Sequence, residues 1–112
     1  MIDDDEVLAD LMRIVLEEAG HDVVAATGPR DLPGGPFDCV VTDLVTVSAY
    51  SYEDARRWLL RLGERYPSVP VVVATAHVEA RDDHLRFGAR GLVMKPFDVD
   101  QLTAAVREAI TS

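Results

Sequence analysis

A single cysteine, Cys39, excludes an internal disulfide and fits a reducing compartment. It lies inside an apolar run, where a buried and inert thiol is expected rather than a nucleophile. Bases are scarce: 11 Lys and Arg stand against 20 Asp and Glu, a formal net charge of −9. Affinity for phosphate backbones comes from clustered cations, so this balance argues against direct nucleic-acid binding. Long hydrophobic runs are missing too. The longest strongly apolar stretch, Val69 to Ala76, is too short to span a bilayer, and acid follows Met1-Ile2 at once, unlike a signal peptide. A cytoplasmic chain without membrane contact is expected. No internal repeat, linker or low-complexity tail is visible.

What remains is an ordinary globular composition. With 112 residues, 48% hydrophobic and 28% charged, the chain is long enough for one domain whose core needs no metal or disulfide staple. From Glu6 to Ala19 the residues Val7, Leu8, Leu11, Met12, Val15 and Leu16 recur at helical spacing, and Gly20 is a stop. Asp22 to Ala26 is a β-branched run and reads as a strand. Residues 28–36 hold three prolines and three glycines, which leaves a loop with at most one turn. Asp38 to Thr42 is the next strand, followed by a helix from about Tyr52, with Ala55, Trp58, Leu59, Leu62 and Tyr66 on one face, ended by Pro67. Pro70 to Thr75 is a Val-rich run of the kind buried on both faces of a sheet. A short polar helix over Glu79 to Phe87, a strand over Gly91 to Met94 and a last amphipathic helix on Val99, Leu102, Val106 and Ile110 complete the pattern. Asp98 or Asp100 is placed to cap that helix.

Strands alternating with helices imply right-handed crossovers and a parallel sheet covered on both faces. In such sheets the working groups gather at the carboxyl ends of the strands. Asp3-Asp4, Asp43, Thr75 and Lys95 each stand at such an end. Undiluted acids repel one another unless a cation holds them, so convergence of Asp3, Asp4 and Asp43 would suit a hard divalent ion, with Lys95 as a fixed charge beside it. Singly, each has a plainer reading. Asp5 and Glu6 suit the positive end of the first helix, Thr75 is common strand chemistry, and Lys95-Pro96 is turn-like. His21, His77 and His84 form no ligand pattern and read as surface residues.

Five segments in order resemble the receiver domain of bacterial two-component response regulators, over essentially residues 1–112. They are Ile2-Asp3-Asp4-Asp5, Glu17 to Val23, Phe37 to Asp43, Val71 to Ala76 and Gly88 to Phe97. The resemblance implies a flavodoxin-like, doubly wound α/β fold with a five-stranded parallel sheet in the order 2-1-3-4-5. It implies Asp43 as phosphoryl acceptor, Lys95 as the lysine paired with it and Thr75 as the switch hydroxyl. Mg²⁺ would be held by Asp3, Asp4, Asp43 and the backbone carbonyl of Val45, with Asp4 the more direct ligand of the acid pair. The implied function is a switch phosphorylated by a sensor histidine kinase or phosphotransfer protein and read by a downstream protein partner. It would be an acceptor with slow autodephosphorylation rather than a turnover enzyme. Val45 cannot orient an attacking water, while His77, two residues beyond Thr75, sits where receivers tune that hydrolysis.

The pattern also departs from the family. Only Met1-Ile2 precede the acid pair, so the first strand is truncated, and the expectation is that Met1 is not the native start of a complete receiver. The second helix is degenerate, replaced by the Pro/Gly segment. No Pro or Gly lies between Leu44 and Leu62, in a loop carrying Ser48, Tyr50 and Ser51, and the usual aromatic three residues before Lys95 is Leu92. The degenerate second helix, the altered loop and Leu92 support an alternative, a pseudo-receiver that binds partners without phosphotransfer. A hydrolase working through an aspartyl-phosphate would need a cap and a second acid near Asp43, which this chain lacks. No effector domain follows Ser112, so output would pass to a partner or the chain is a fragment; a homodimer is left open.

Overall fold

The computed structural model describes residues 1–3, 5–26, 32–44 and 51–111. Helix α1 spans Glu6–Glu18. It starts where the Asp5 carboxylate accepts the N–H groups of Val7 and Leu8, both at 3.1 Å, which satisfies two of the donors every helix start leaves open. It ends before Gly20, whose φ of +100° is a conformation that an L side chain rarely adopts. The sheet strands are β1 (Val40–Thr42), β2 (Val71–Thr75) and β3 (Gly91–Met94). Helices α2 (Tyr52–Arg65), α3 (Ala80–Asp83) and α4 (Val99–Thr111) alternate with them. Ser51 caps α2 by accepting the Asp54 N–H at 3.3 Å. Of the two candidate caps for α4, Asp98 does the work: it accepts the Gln101 N–H at 2.9 Å while its own N–H donates to Gln101 Oε1 at 3.0 Å, a reciprocal box.

β2 is the middle strand, paired in parallel with β1 on one side and β3 on the other. All five of its residues are buried, as an unbroken Val-rich run requires in a sheet covered on both faces. Alternation along the strands sorts the core into two layers. Val40, Val71 and Val73 pack with Trp58, Leu59 and Leu62 of α2. Val41, Val72, Ala74 and Val93 pack with Met12 and Leu16 of α1 and Leu102 and Val106 of α4. Leu62 and Leu102 are fully buried, and each such side chain contributes about 1.5–3 kcal/mol.

The chain is thus α/β with a parallel sheet, but its amino-terminal part is sparser than expected. Ile2 makes isolated parallel bridges to Ala26 on one side and Thr42 on the other. Its N–H donates to Val41 O and its carbonyl accepts the Asp43 N–H, both at 2.8 Å. Within the expected strand Asp22 to Ala26, only Ala26 is paired, through its isolated bridge to Ile2. The strand expected from Asp38 starts only at Val40. The expected helix over Glu79 to Phe87 is regular only across α3, and of its residues only Ala80 and Phe87 are buried. Residues 32–36 of the Pro/Gly segment are non-helical; 27–31 lie outside the described residues. Val7, Leu11 and Ile14 of α1 are exposed, so its apolar stripe is wider than the face it buries.

Candidate functional site

Three strand ends and the Ile2 bridge aim polar groups at one edge of the sheet. Asp3 follows Ile2, whose pairing on both sides fixes where the carboxylate leaves the backbone. Its side chain is 0% exposed. Burying a carboxylate is costly unless both oxygens find donors, and here they do. Oδ1 accepts the Asp5 N–H at 2.9 Å, and Oδ2 takes Lys95 Nζ at 2.9 Å.

Lys95 lies one residue beyond β3, and its N–H donates to Thr75 O at 2.8 Å, extending the β2–β3 ladder by a rung. The backbone is thereby fixed, and the ammonium lies between two acids. Asp43 Oδ2 is 3.6 Å from the same Nζ. The two carboxylates differ in access: Asp43 keeps 19% of its side chain exposed and Asp3 none. A reagent from solution therefore reaches Asp43. Its other oxygen, Oδ1, accepts the Leu44 N–H at 2.8 Å.

Thr75 closes β2 and is fully buried, with its hydroxyl accepting the His77 N–H at 3.1 Å. Asp3, Asp43 and Lys95 are thus brought together by side-chain contacts, and Thr75 joins them through its backbone carbonyl. Asp4 and Val45, the other two expected metal ligands, lie outside the described residues. Among the described residues no group of three or more His, Cys, Asp or Glu side chains is placed to hold a metal ion. The three histidines are partly exposed.

One pair escaped the sequence. Trp58 of α2 donates its indole Nε1–H to the Thr42 hydroxyl at 2.9 Å in the buried interior, next to Asp43. Helical spacing identifies Trp58 as core but says nothing of its polar end. The available clue is that a buried indole needs an acceptor, and Thr42 is the only hydroxyl in β1.

Comparison with known proteins fits this arrangement. A family model described as the response regulator receiver domain matches residues 1–107. RpaA of Synechocystis, a DNA-binding dual master transcriptional regulator, is 34% identical over 115 residues, which cover 96% of this chain and 46% of RpaA. The transcriptional regulatory protein FixJ of Bradyrhizobium diazoefficiens is 30% identical over 116 residues, covering 98% of this chain and 55% of FixJ. The crystal structure of a response regulator from Thermotoga maritima matches with a TM-score of 0.78 at 25% identity, covering 99% of this chain and 94% of that one. The chain spans about half the length of the curated relatives it matches.

Proposed function

The chain belongs to the response regulator receiver domain family, and on that premise we propose that it is a signalling switch phosphorylated on Asp43 by a histidine kinase or phosphotransfer protein. The observation that carries this reading is one ammonium held between a sealed acid and an open one: Lys95 Nζ lies 2.9 Å from Asp3 and 3.6 Å from Asp43. Asp43 Oδ2 bonds to phosphorus as the phosphorus–nitrogen bond of a phosphohistidine breaks, and the electron pair leaves with the imidazole. The product on the chain is an acyl phosphate. Two anions meet in this step, so the charge gathering on the phosphoryl oxygens must be offset, and Lys95 is already fixed where it forms. Asp3 holds that lysine in register without competing as a nucleophile, because it is buried.

Asp3 and Asp43 are hard oxygen donors beside one another, a set that suits Mg²⁺. With Asp4 and the Val45 carbonyl they are the residues that would hold it, and the bound ion would supply further charge neutralisation at the phosphoryl group. Once Asp43 is phosphorylated, the Thr75 hydroxyl turns from the His77 N–H toward the new oxygens, and the surface of α3, β3 and α4 repacks for a downstream protein. We read the bridges at Ala26 and Ile2 as the reduced second and first strands of a 2-1-3-4-5 sheet. The chain acts as a stoichiometric acceptor with slow autodephosphorylation rather than a turnover enzyme, and its place is the cytoplasm; no helix among the described residues is long and apolar enough to cross a membrane.

The pseudo-receiver reading is favoured by one feature, the reduction of two sheet positions to single bridges. Incubation with Mg²⁺ and acetyl phosphate, followed by intact mass, decides between the two. A gain of one phosphoryl group supports the switch. An unchanged mass at saturating donor supports the pseudo-receiver.

A further inference from the structure

Asp43 has two oxygens, and only one is turned toward Lys95. The other is held by the Leu44 N–H. That N–H belongs to the same planar peptide unit as the Asp43 carbonyl, so the two cannot rotate independently. The Asp43 carbonyl in turn accepts the Thr42 hydroxyl at 2.7 Å. A hydroxyl has one proton, and here it is committed to that carbonyl; its lone pair accepts the Trp58 indole N–H at 2.9 Å. Thr42 is 1% exposed and Trp58 3%, so water does not compete for either group.

We propose that Trp58 is a positioning residue for Asp43, acting through the Thr42 hydroxyl and the 43–44 peptide plane to hold Oδ1 on the Leu44 N–H and present Oδ2 beside Lys95. The indole fixes which way the hydroxyl proton points. The hydroxyl fixes the tilt of the peptide plane, and the plane fixes the carboxylate rotamer. The indole–hydroxyl link is buried and the two that follow it are short and partly buried, a setting in which a directed hydrogen bond holds orientation well. The inference rests on Asp43 as the acceptor, but the geometric half of it stands apart from any phosphotransfer.

The experiment therefore has two arms. In the first, NMR follows the Leu44 amide and the Asp43 carboxyl carbon in the unphosphorylated protein and in Trp58→Phe, Thr42→Val and Thr42→Ser. Trp58→Phe and Thr42→Val are expected to move both resonances in the same direction, while Thr42→Ser, which keeps the hydroxyl, leaves them near their starting positions. In the second, the rate of labelling by acetyl phosphate with Mg²⁺ falls about fivefold in Trp58→Phe, the loss of one hydrogen bond's worth of orientation. The double variant Trp58→Phe, Thr42→Val labels no more slowly than Thr42→Val alone, because the two act through one chain of contacts. Leu62→Val, a core change in the same helix, serves as a stability control and labels at the parent rate. Unmoved Leu44 and Asp43 resonances in Trp58→Phe overturn the proposal, as does an additive loss in the double variant. If the parent takes no label, the acceptor assignment falls while the NMR arm still decides whether Trp58 positions Asp43.

Discussion

Two flanks of one sheet are built to different standards. Around β2 the ladder is continuous: three registered pairs join it to β1 and four to β3, and every side chain along it is buried. On the other flank Ile2 stands alone between Ala26 and Thr42, joined by isolated bridges. Yet both flanks deliver functional groups to the same edge: Thr75, Lys95 and, from the end of β1, Asp43 from the first, and Asp3 from the second. The difference teaches which part of a strand a carboxyl-edge site requires. Only the last rung sets where the next side chain emerges, so the isolated bridges at Ile2 suffice to place Asp3. What it gives up is redundancy: β2 shares its anchoring among many bonds, whereas Asp3 depends on the few around Ile2, and Asp43 draws on both the β1–β2 ladder and the Ile2 carbonyl.

The most severe test asks whether the acid at the junction of the two flanks carries the chemistry. Asp43→Ala is expected to abolish labelling by acetyl phosphate outright, with the fold retained by circular dichroism. Label persisting on that variant, located elsewhere by peptide mapping, would remove Asp43 from its role. A close second concerns the charge between the flanks. Lys95, the only lysine in the chain, partners a carboxylate with no exposure, and Lys95→Ala leaves that acid buried and unpaired. A loss of about 3 kcal/mol is expected in urea unfolding. Because a ligand that binds only the native state stabilises it, Mg²⁺ should raise the melting temperature of the parent and recover part of the loss in the variant. Unchanged midpoints for Lys95→Ala would mean that the Lys95–Asp3 pair contributes nothing to stability.

How much of this was legible beforehand follows the same division. The dense flank was readable because its signals are local. Val71 to Thr75 is an uninterrupted apolar run, Gly91 to Met94 lies between turn residues, and Asp5 with Asp98 supplies caps at helix starts. Asp3, Asp43, Thr75 and Lys95 were placed by the rule that strand ends converge, which needs order along the chain and not distances. The strand expected over Asp22 to Ala26 was misread because pairing is a property of two segments. Val23 and Val24 have good strand chemistry, yet the segment is bridged only at Ala26, with the Val24 carbonyl accepting the Met1 amino group at 2.8 Å. The Trp58 to Thr42 contact was invisible for a related reason: it joins residues of separate elements, and periodicity reports only which face of a helix is buried.

The comparison can be sharpened on the rung itself. Ile2 is 2% exposed and packs with Val40 and Leu44, so Ile2→Ala removes buried methyl groups where few other contacts can compensate. The expected cost is about 2–4 kcal/mol. Hydrogen exchange should show the Asp3 and Asp43 amides opening before those of Val72 and Val73, in the parent and further in the variant. Equal protection on both flanks would mean that one rung anchors as firmly as a full ladder.

The smallest expected effect comes from the far end of the sheet, where Cys39 precedes β1 and lines a cavity of about 460 Å³ with Met1, Val23 and Phe37. Burial pushes its thiol up to about 11 from an ordinary 9.0, an effect that the nearby amino terminus partly offsets and Asp38 reinforces. The sign of the consequence follows from proton counting. Between those two values the folded chain keeps the proton that the unfolded chain has released, so folding binds a proton and is weakened as pH rises. The stability this group contributes is full below pH 9 and is lost progressively toward pH 11. Urea midpoints should therefore decline across that window more steeply in the parent than in Cys39→Val, where no proton is exchanged. The same protonation predicts that a thiol-directed alkylating reagent reacts far more slowly with the folded chain than with the urea-unfolded chain at pH 8, since the thiolate is the reactive form. Equal slopes in parent and variant, together with rapid alkylation of the folded chain, would show that the cavity admits enough water to leave Cys39 an ordinary thiol.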